Sequence, residues 1–492
     1  MTNRSLVHRL ILPFARWVVR VALIFVVGVG HAELPAPIAQ ALREAGVPAS
    51  AASLYVREVG HEQPLVAHRA TVPMNPASTM KIVTTLVGLD VLSPSYTWQT
   101  TFASNARLQA GVLDGALYIK GSGDPKLTSE SLQVIVAALR TRGVRDIRGD
   151  LIIDRSRFTK VSHDPAAFDG LPLRPYNVGP DALLFNYKSV GFRFLPQADG
   201  TVRVISDGVP PDGLSIVNTL RTATGACPLD WRSRTLPTFD DRGSAATATF
   251  AGVYATECGE RDWYVSLYDH TGLFAAMFAR LWRDAGGTWT GVAREGGVPR
   301  SARVLHTHVS PPLATMVTDI NKFSNNVMAR QLLLTIDAEL SKRPAQARRA
   351  GRSIREWAKA RGFDLPDLVI ENGSGLSRVE RISAQSLAGM LEYGLTSPFA
   401  SDFLSSLPLA ATDGTLAKRF VNQLAEGNAY LKTGTLTGVK ALAGYLLLPD
   451  GRRMLFVGIV NHGNAEAAQK ALDSAVDWVY LTEAAKLKAL TR

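Results

Sequence analysis

The sequence predicts an α+β protein, an antiparallel sheet flanked by helices and interrupted by a large β-rich insertion, and three observations carry that expectation. Strand-like runs stand at both ends of the chain, a long helix with one apolar side follows the last of them, and the texture between residues 94 and 269 differs from that on either side. Residues 51–59 (AASLYVREV) and 63–69 are short and β-rich, and Gly60-His61-Glu62 separates them as in a hairpin. After Asn75 and Pro76, the apolar spacing of Met80, Ile82, Val83, Leu86, Val87 and Leu89 predicts a helix. Short strands are then expected at 98–102, 116–120, 150–154, 201–206, 246–253 and 263–268, with one clear helix at 129–142. The apolar run 273–282 (LFAAMFARLW) returns the chain to helix, and helices dominate as far as Met390. Three strands follow at 429–437, 441–448 and 453–460, the last two joined by Pro449-Asp450-Gly451, where Pro presets φ and Gly accepts the left-handed turn position. Residues 465–490 close the chain as a helix with Ala471, Leu472, Ala475, Val476, Val479 and Leu481 on one side. The simplest assembly is one domain made from 33–97 and 268–492, with 98–267 inserted as a β-rich unit.

With 46% hydrophobic and 20% charged residues over 492 positions, the chain is too apolar to be disordered and long enough for two or three cores. Two cysteines exclude a disulfide framework, and nine histidines form no metal-ligand spacing, so no metal or cofactor is expected. The N-terminus fixes the compartment. Arg4, Arg9, Arg16 and Arg20 precede the ten-residue run VALIFVVGVG and the small-x-small site Gly30-His31-Ala32. That run is half the roughly 20 residues a bilayer span needs, so residues 1–32 read as a cleaved export signal and the mature chain as free of a transmembrane span. Losing those four arginines takes the formal charge from +11 to +7, which fits an acidic wall polymer or a membrane surface as well as it fits an ordinary basic surface; nothing indicates a nucleic-acid partner. Outside the cytoplasm Cys227 and Cys258 can close one loop, and no His-bearing motif marks either as a nucleophile.

Three short patterns occur once each and in order: Ser78-Thr79-Met80-Lys81, Ser324-Asn325-Asn326 and Lys432-Thr433-Gly434. Ser78 falls in the first turn of the predicted helix, with Lys81 three residues on and therefore on the same face, inside an apolar stretch. Free N–H groups at the helix start would meet a developing oxyanion there. An isolated Ser-x-x-Lys would be a cap with a solvent-facing amine. To act as a base Lys81 must shed its proton near neutrality, some three units below a reference of about 10.4, and burial and the ammonium of Lys432 both push that way. Lys432 and Gly434 point to one side of their strand and Thr433 to the other, with Gly434 admitting substrate backbone and Thr435 lending its N–H. Ser324 can relay a proton to a leaving amine, and Asn326 can hold Lys81 and the substrate carbonyl. Alone, Ser-Asn-Asn would be a helix cap.

With these motifs, Pro76-Ala77-Ser78-Thr79-Met80-Lys81, Gly121-Ser122-Gly123-Asp124-Pro125, Asn372-Gly373-Ser374-Gly375-Leu376-Ser377-Arg378, Asp413-Gly414-Thr415-Leu416 and Lys432-Thr433-Gly434-Thr435, the chain resembles the class C low-molecular-mass penicillin-binding proteins, exported D-Ala-D-Ala carboxypeptidases and endopeptidases. The 246 residues from Ser78 to Ser324 match the inserted domains of that family. The resemblance implies a β-lactamase/transpeptidase-like domain and a periplasmic or cell-wall location. Its implied partners are peptidoglycan stem peptides and β-lactam antibiotics. It implies Ser78 as nucleophile, Lys81 as base, Ser324 and Asn326 as relay and positioning groups, and Lys432 with Thr433 for the terminal carboxylate. It also implies an oxyanion hole from the N–H groups of Ser78 and Thr435, and Asp164 beside a diaminopimelate-type side chain. The chain departs from the family at Asn325 and Asn372, where Asp is usual, and at residues 182–186, where a Ser-rich segment is usual. Two other functions compete. A serine β-lactamase would share the acylation but needs a water-activating base that no second motif supplies; a penicillin-sensing or wall-binding module would not need Ser78 and Lys81 together.

Overall fold

The computed structural model describes residues 34–160 and 163–490, so the expected export signal lies outside the described residues. Both chain ends build one five-stranded sheet, in the order Pro64–His68, Ala52–Glu58, Arg453–Asn461, Val439–Leu447, Ala429–Leu436, with every pair antiparallel. The two central strands, Val439–Leu447 and Arg453–Asn461, are mainly apolar and buried because both faces are covered. Leu455, Val457 and Ile459 turn to one core with Ala441, Ala443 and Tyr445. Their neighbours Met454, Phe456 and Val460 turn to the other, under the terminal helix Gln469–Leu490 and the short helix Ala36–Glu44. On the first face lie Met80–Leu92, Leu313–Lys322, Asn326–Ser341 and Ala384–Thr396. Residues 80–89 are buried on all sides, which makes Met80–Leu92 the central helix rather than an amphipathic surface one. Asn372 and Asn325 keep the backbone in order despite the departures noted above: Asn325 Oδ1 caps the Asn326–Ser341 helix by accepting from Met328 N at 3.1 Å.

The inserted unit has its own core. Phe102, Ile119, Leu132, Ile153, Phe192, Phe194, Phe250 and Tyr254 meet Leu273, Phe274, Phe278 and Trp282 of the helix His270–Asp284. The boundary expected at 267/268 therefore cuts through this core, because the helix assigned to the outer domain packs inside the insert. Strands also continue beyond it, where helix was expected, at Thr288–Trp289, Ala293–Glu295 and Arg303–Val309. Arg303–Val309 pairs antiparallel with Gln99–Ser104. Trp98 N donates to Ser310 Oγ at 2.9 Å and Ser310 N to Trp98 O at 3.0 Å, so the chain leaves and re-enters the outer domain side by side. We place the insert at 99–309 on that basis. The expected strand 246–253 is two strands, Ala246–Phe250 and Val253–Ala255, which belong to different sheets.

Where the family is Ser-rich, Ala182 packs on Phe158, Leu334 and Ala338, and Leu184 on Val178 and Val327. Those contacts join insert to outer domain by apolar burial, reinforced by Gln331, whose Oε1 accepts from Asp181 N at 2.8 Å and whose Nε2 donates to Asp181 O at 2.7 Å. Cys227 and Cys258, 31 residues apart, form a disulfide at the edge of the insert core. Closing a loop of that length restricts the unfolded chain by roughly 3–4 kcal/mol. The double replacement Cys227→Ala/Cys258→Ala is accordingly expected to lower the denaturation midpoint of the insert by several degrees in thermal unfolding followed through the insert's tryptophans.

Candidate active site

The site begins with a strained turn. Residues Ala77–Thr79 form a 3-10 turn that feeds the helix Met80–Leu92, and Ala77, fully buried, holds φ +46°, a left-handed value that β-carbons disfavour. Asn75 fixes the turn from within: Oδ1 accepts from Ala77 N at 2.9 Å and Nδ2 donates to Ser377 O at 2.8 Å. Asn461 clamps Asn75 in turn, accepting from its N–H at 2.8 Å and donating to its carbonyl at 3.0 Å. From the far side the 371–376 loop lies directly on the turn. A side chain at Gly375 (φ +80°) would place its Cβ 1.9 Å from the Ala77 carbonyl oxygen, so only glycine fits.

Lys81 is fully buried. Its Nζ lies 3.0 Å from Ser78 Oγ and 2.7 Å from Asn326 Oδ1, and it also contacts the carbonyl oxygen of Ser374. A neutral amine has two N–H groups and one lone pair. Asn326 Oδ1 and the Ser374 carbonyl can only accept, so in the neutral form of Lys81 they would take the two N–H groups and leave the lone pair for the hydroxyl of Ser78. Burial, and after it the ammonium of Lys432, push Lys81 well below its ordinary value, with Glu380 opposing and Arg330 adding a smaller push. Lys432 is buried as completely, and burial brings it down to about 7. Its Nζ donates to Ser324 Oγ and to the Thr433 carbonyl, both at 2.9 Å. Ser324 sits at φ +55°, immediately before the helix Asn326–Ser341, a second non-glycine strained position.

The third motif lies on the edge strand Ala429–Leu436. Leu431 N donates off the sheet to Pro408 O at 2.9 Å. N–H groups alternate along a strand, so those of Thr433 and Thr435 face the same open side, where an extended chain can add. Thr433 Oγ1 meets Thr415 Oγ1 at 3.0 Å, and Lys440 Nζ donates to Thr435 Oγ1 at 3.2 Å. Asp413 holds the loop carrying Thr415, bonding Lys322 Nζ at 2.5 Å and Leu409 N at 3.0 Å. Gly434 has a different reason from the one expected. A Cβ there would stand 2.7 Å from the Pro76 carbonyl and 3.1 Å from Ala77 Cβ, so the missing side chain lets the edge strand close on the Ser78 turn.

Of the residues singled out in the sequence, Ser78, Lys81, Ser324, Asn326 and Lys432 converge, and Thr433 and Thr435 line the open edge beside them. Asp164 stands apart. It is exposed, its Oδ1 accepts from Ala166 N at 2.8 Å, and it lines a cavity of about 400 Å³ together with Arg330, Leu376 and Arg378. An insert loop does reach the site, since Phe168 packs against the cluster of Ala77, Leu436 and Val439 with the Arg378 guanidinium over its ring. The Ser374 carbonyl, Asn75, Asn461 and Thr415 were not assigned roles from the sequence. A backbone carbonyl carries no residue signature, and Asn75 and Asn461 are 386 positions apart with nothing to link them before folding.

Comparison with known proteins agrees with this geometry. The model of the D-Ala-D-Ala carboxypeptidase 3 (S13) family matches residues 34–481. A D-alanyl-D-alanine carboxypeptidase of Actinomadura sp. (strain R39) is 30% identical over 420 residues, 82% of this chain and 76% of the relative. The crystal structure of penicillin binding protein 4 (dacB) from Haemophilus influenzae superposes with a TM-score of 0.73 at 21% identity, covering 89% of this chain and 99% of that one. A second structure of that protein, complexed with a β-lactam, gives 0.71 at 21% identity over 90% and 99%. The sheet built from both chain ends, the turn at Ser78 that feeds the central helix and a family match over nearly every described residue lead to one statement: this chain belongs to the D-Ala-D-Ala carboxypeptidase 3 (S13) family.

Proposed function

We propose that the chain is an exported serine D,D-peptidase that hydrolyses D-Ala-D-Ala termini of peptidoglycan stem peptides and D-Ala-diaminopimelate-type cross-links through a Ser78 acyl-enzyme, and that β-lactams acylate the same serine. The family supports the carboxypeptidase activity. The single observation that carries the residue assignment is the convergence of three groups on the buried Lys81 amine: Ser78 Oγ at 3.0 Å, Asn326 Oδ1 at 2.7 Å and the Ser374 carbonyl.

In the first half-reaction Ser78 Oγ attacks the carbonyl of the penultimate D-Ala while its proton passes to Lys81. The N–H groups of Ser78 and Thr435 take the oxyanion. Collapse expels the amine of the terminal residue, which receives the proton held by Lys81, relayed through the hydroxyl of Ser324, and Lys81 is neutral again. Water then attacks the ester as Lys81 accepts its proton, the bond to Ser78 Oγ breaks, Lys81 returns the proton to that oxygen, and the shortened peptide leaves. Lys432 as an ammonium, with the Thr433 hydroxyl and N–H, meets the carboxylate of the leaving residue; a β-lactam offers its own carboxylate to the same pair. A β-lactamase reading would need a water-activating group that acts only after acylation, and among the described residues none beyond Lys81 contacts Ser78 Oγ.

Three outcomes test this. Ser78→Ala is expected to abolish both the covalent adduct with fluorescent penicillin and D-Ala release from a pentapeptide, with unchanged circular dichroism. Incubation with isolated muropeptides should give, by mass spectrometry, tetrapeptides from pentapeptide monomers and monomers from cross-linked dimers; a protein that trims but leaves dimers intact is a carboxypeptidase alone. The pH dependence has two limbs. Lys81 must be neutral, so kcat/KM rises with pH through its lowered value, and Lys432 must be charged, so kcat/KM falls as that amine deprotonates around 7 in the free enzyme. Stopped-flow acylation by a chromogenic β-lactam across pH 4.5–9.5 measures both.

A further inference from the structure

The most deeply buried carboxyl near the site belongs to no step above. Glu380 is fully buried. Its Oε1 accepts from three successive backbone N–H groups, Glu371 at 3.1 Å, Asn372 at 2.9 Å and Gly373 at 2.9 Å. Three donors on one oxygen are the arrangement of an anion seated in a nest of amides. Oε2 is sealed from solvent and has no hydrogen-bond partner, so a proton there would find no acceptor. No cation is within ion-pair distance of it among the described residues. The backbone it holds leads straight to the catalytic amine. Gly373 O accepts from Thr84 Oγ1 at 2.7 Å on the nucleophile helix, and the next carbonyl, Ser374 O, takes an N–H of Lys81. Asn372 completes the turn by accepting from Ser374 N at 2.9 Å and Ser374 Oγ at 2.6 Å.

Resting on the peptidase reading above, we infer that Glu380 is a positioning residue for Lys81: it fixes the 371–374 turn so that the Ser374 carbonyl orients the amine, and its buried charge supports the ammonium that forms when Lys81 takes the proton of Ser78. The charged groups that act on Lys81 are Lys432 on the edge strand, Arg330 on the helix Asn326–Ser341 and Glu380, with Glu371 facing Arg330. Both cations disfavour a proton on Lys81, and Glu380 is the one of these groups that favours it, so its charge adds to the basicity that burial and Lys432 lower. Burial is the largest influence and leaves the Glu380 carboxyl raised, the three N–H groups and the Lys81 amine offsetting only part of that push.

Glu380→Gln separates the two parts of the role, since it keeps an oxygen for the three N–H groups and removes the charge. The measurement is the pH profile of acylation by a chromogenic β-lactam. The expected result is an acid limb displaced to lower pH by about one unit, a tenfold change in the proton affinity of Lys81, and a plateau rate reduced tenfold or more. A profile superimposable on that of the unaltered enzyme would overturn the inference. Glu380→Asp carries the test should the glutamine variant not fold: it keeps the charge but withdraws it by one methylene, and is expected to hold the acid limb in place while slowing the plateau. An aspartate variant equal to the unaltered enzyme in both would equally overturn it. If the unaltered enzyme itself took up no β-lactam, the peptidase reading would fail, an outcome distinct from an unshifted limb in a reactive enzyme.

Discussion

Each step proposed for this site depends on an uncharged amine beside one hydroxyl. In water Lys81 would be an ammonium; removal from solvent first, and then the second positive charge nearby, push it toward the free base. Burial alone would leave the amine free to rotate. The Asn326 side chain and the Ser374 carbonyl consume its two donors, so the lone pair has one direction left, toward Ser78. Three separate stretches of chain, the nucleophile helix, the helix after Ser324 and the 371–376 loop, must therefore meet at a single nitrogen. The sheet on one side and the helices Leu313–Lys322 and Ala384–Thr396 on the other serve to hold that meeting point.

The arrangement costs stability, and the direction of the cost can be read from linkage. The unfolded chain binds a proton at each of these lysines up to about pH 10.4, whereas native Lys432 releases its proton near 7. Between those values the unfolded state holds more protons, so this pair's contribution to stability grows as pH rises and is lost as pH falls toward 7. The strained backbone at Ala77 and Ser324 adds roughly 1–3 kcal/mol at each position. Both strained residues sit at the start of a helix whose remaining length is packed in the core, which is what over-determines them: the helix Met80–Leu92 cannot shift to relax Ala77 without disturbing Ile82, Val83 and Leu86.

Sequence made the outer sheet legible because its strands are bounded by strong turn signals and covered on both faces. Gly60-His61-Glu62 and Pro449-Asp450-Gly451 mark the hairpins, and the apolar runs between them are long. The five converging side chains were legible for a different reason, that Ser-x-x-Lys, Ser-x-Asn and Lys-Thr-Gly carry side-chain identity. What stayed hidden has no such marker. Arg303–Val309 is polar and mostly half-exposed, an edge strand with no alternation to betray it, so the end of the insert was set too early. The closeness of the Pro76 carbonyl to Gly434 is a contact between residues far apart in sequence, which no local pattern marks. Glu380 in the sequence is an ordinary charged residue between Val379 and Arg381; its role comes from a loop closed over nine residues by hydrogen bonds to backbone.

The same constraint explains how so large an insert is tolerated next to such exacting geometry. Its two connections meet at Trp98 and Ser310, which bond to each other, so the outer domain experiences 211 residues as a hairpin-like excursion rather than a break. Trp98 belongs to the outer core and donates its indole N–H to Thr335 Oγ1 at 3.1 Å, tying the exit to the helix that carries Asn326. That helix is then gripped from the insert side by Asp181 through Gln331 and by Ala182 through Leu334. Asn326 can hold Lys81 only if its helix does not slide. The insert, by packing along the helix from Val327 to Ala338, removes that freedom, and the apolar residues at 182–184 do so without introducing a further buried charge near the amine.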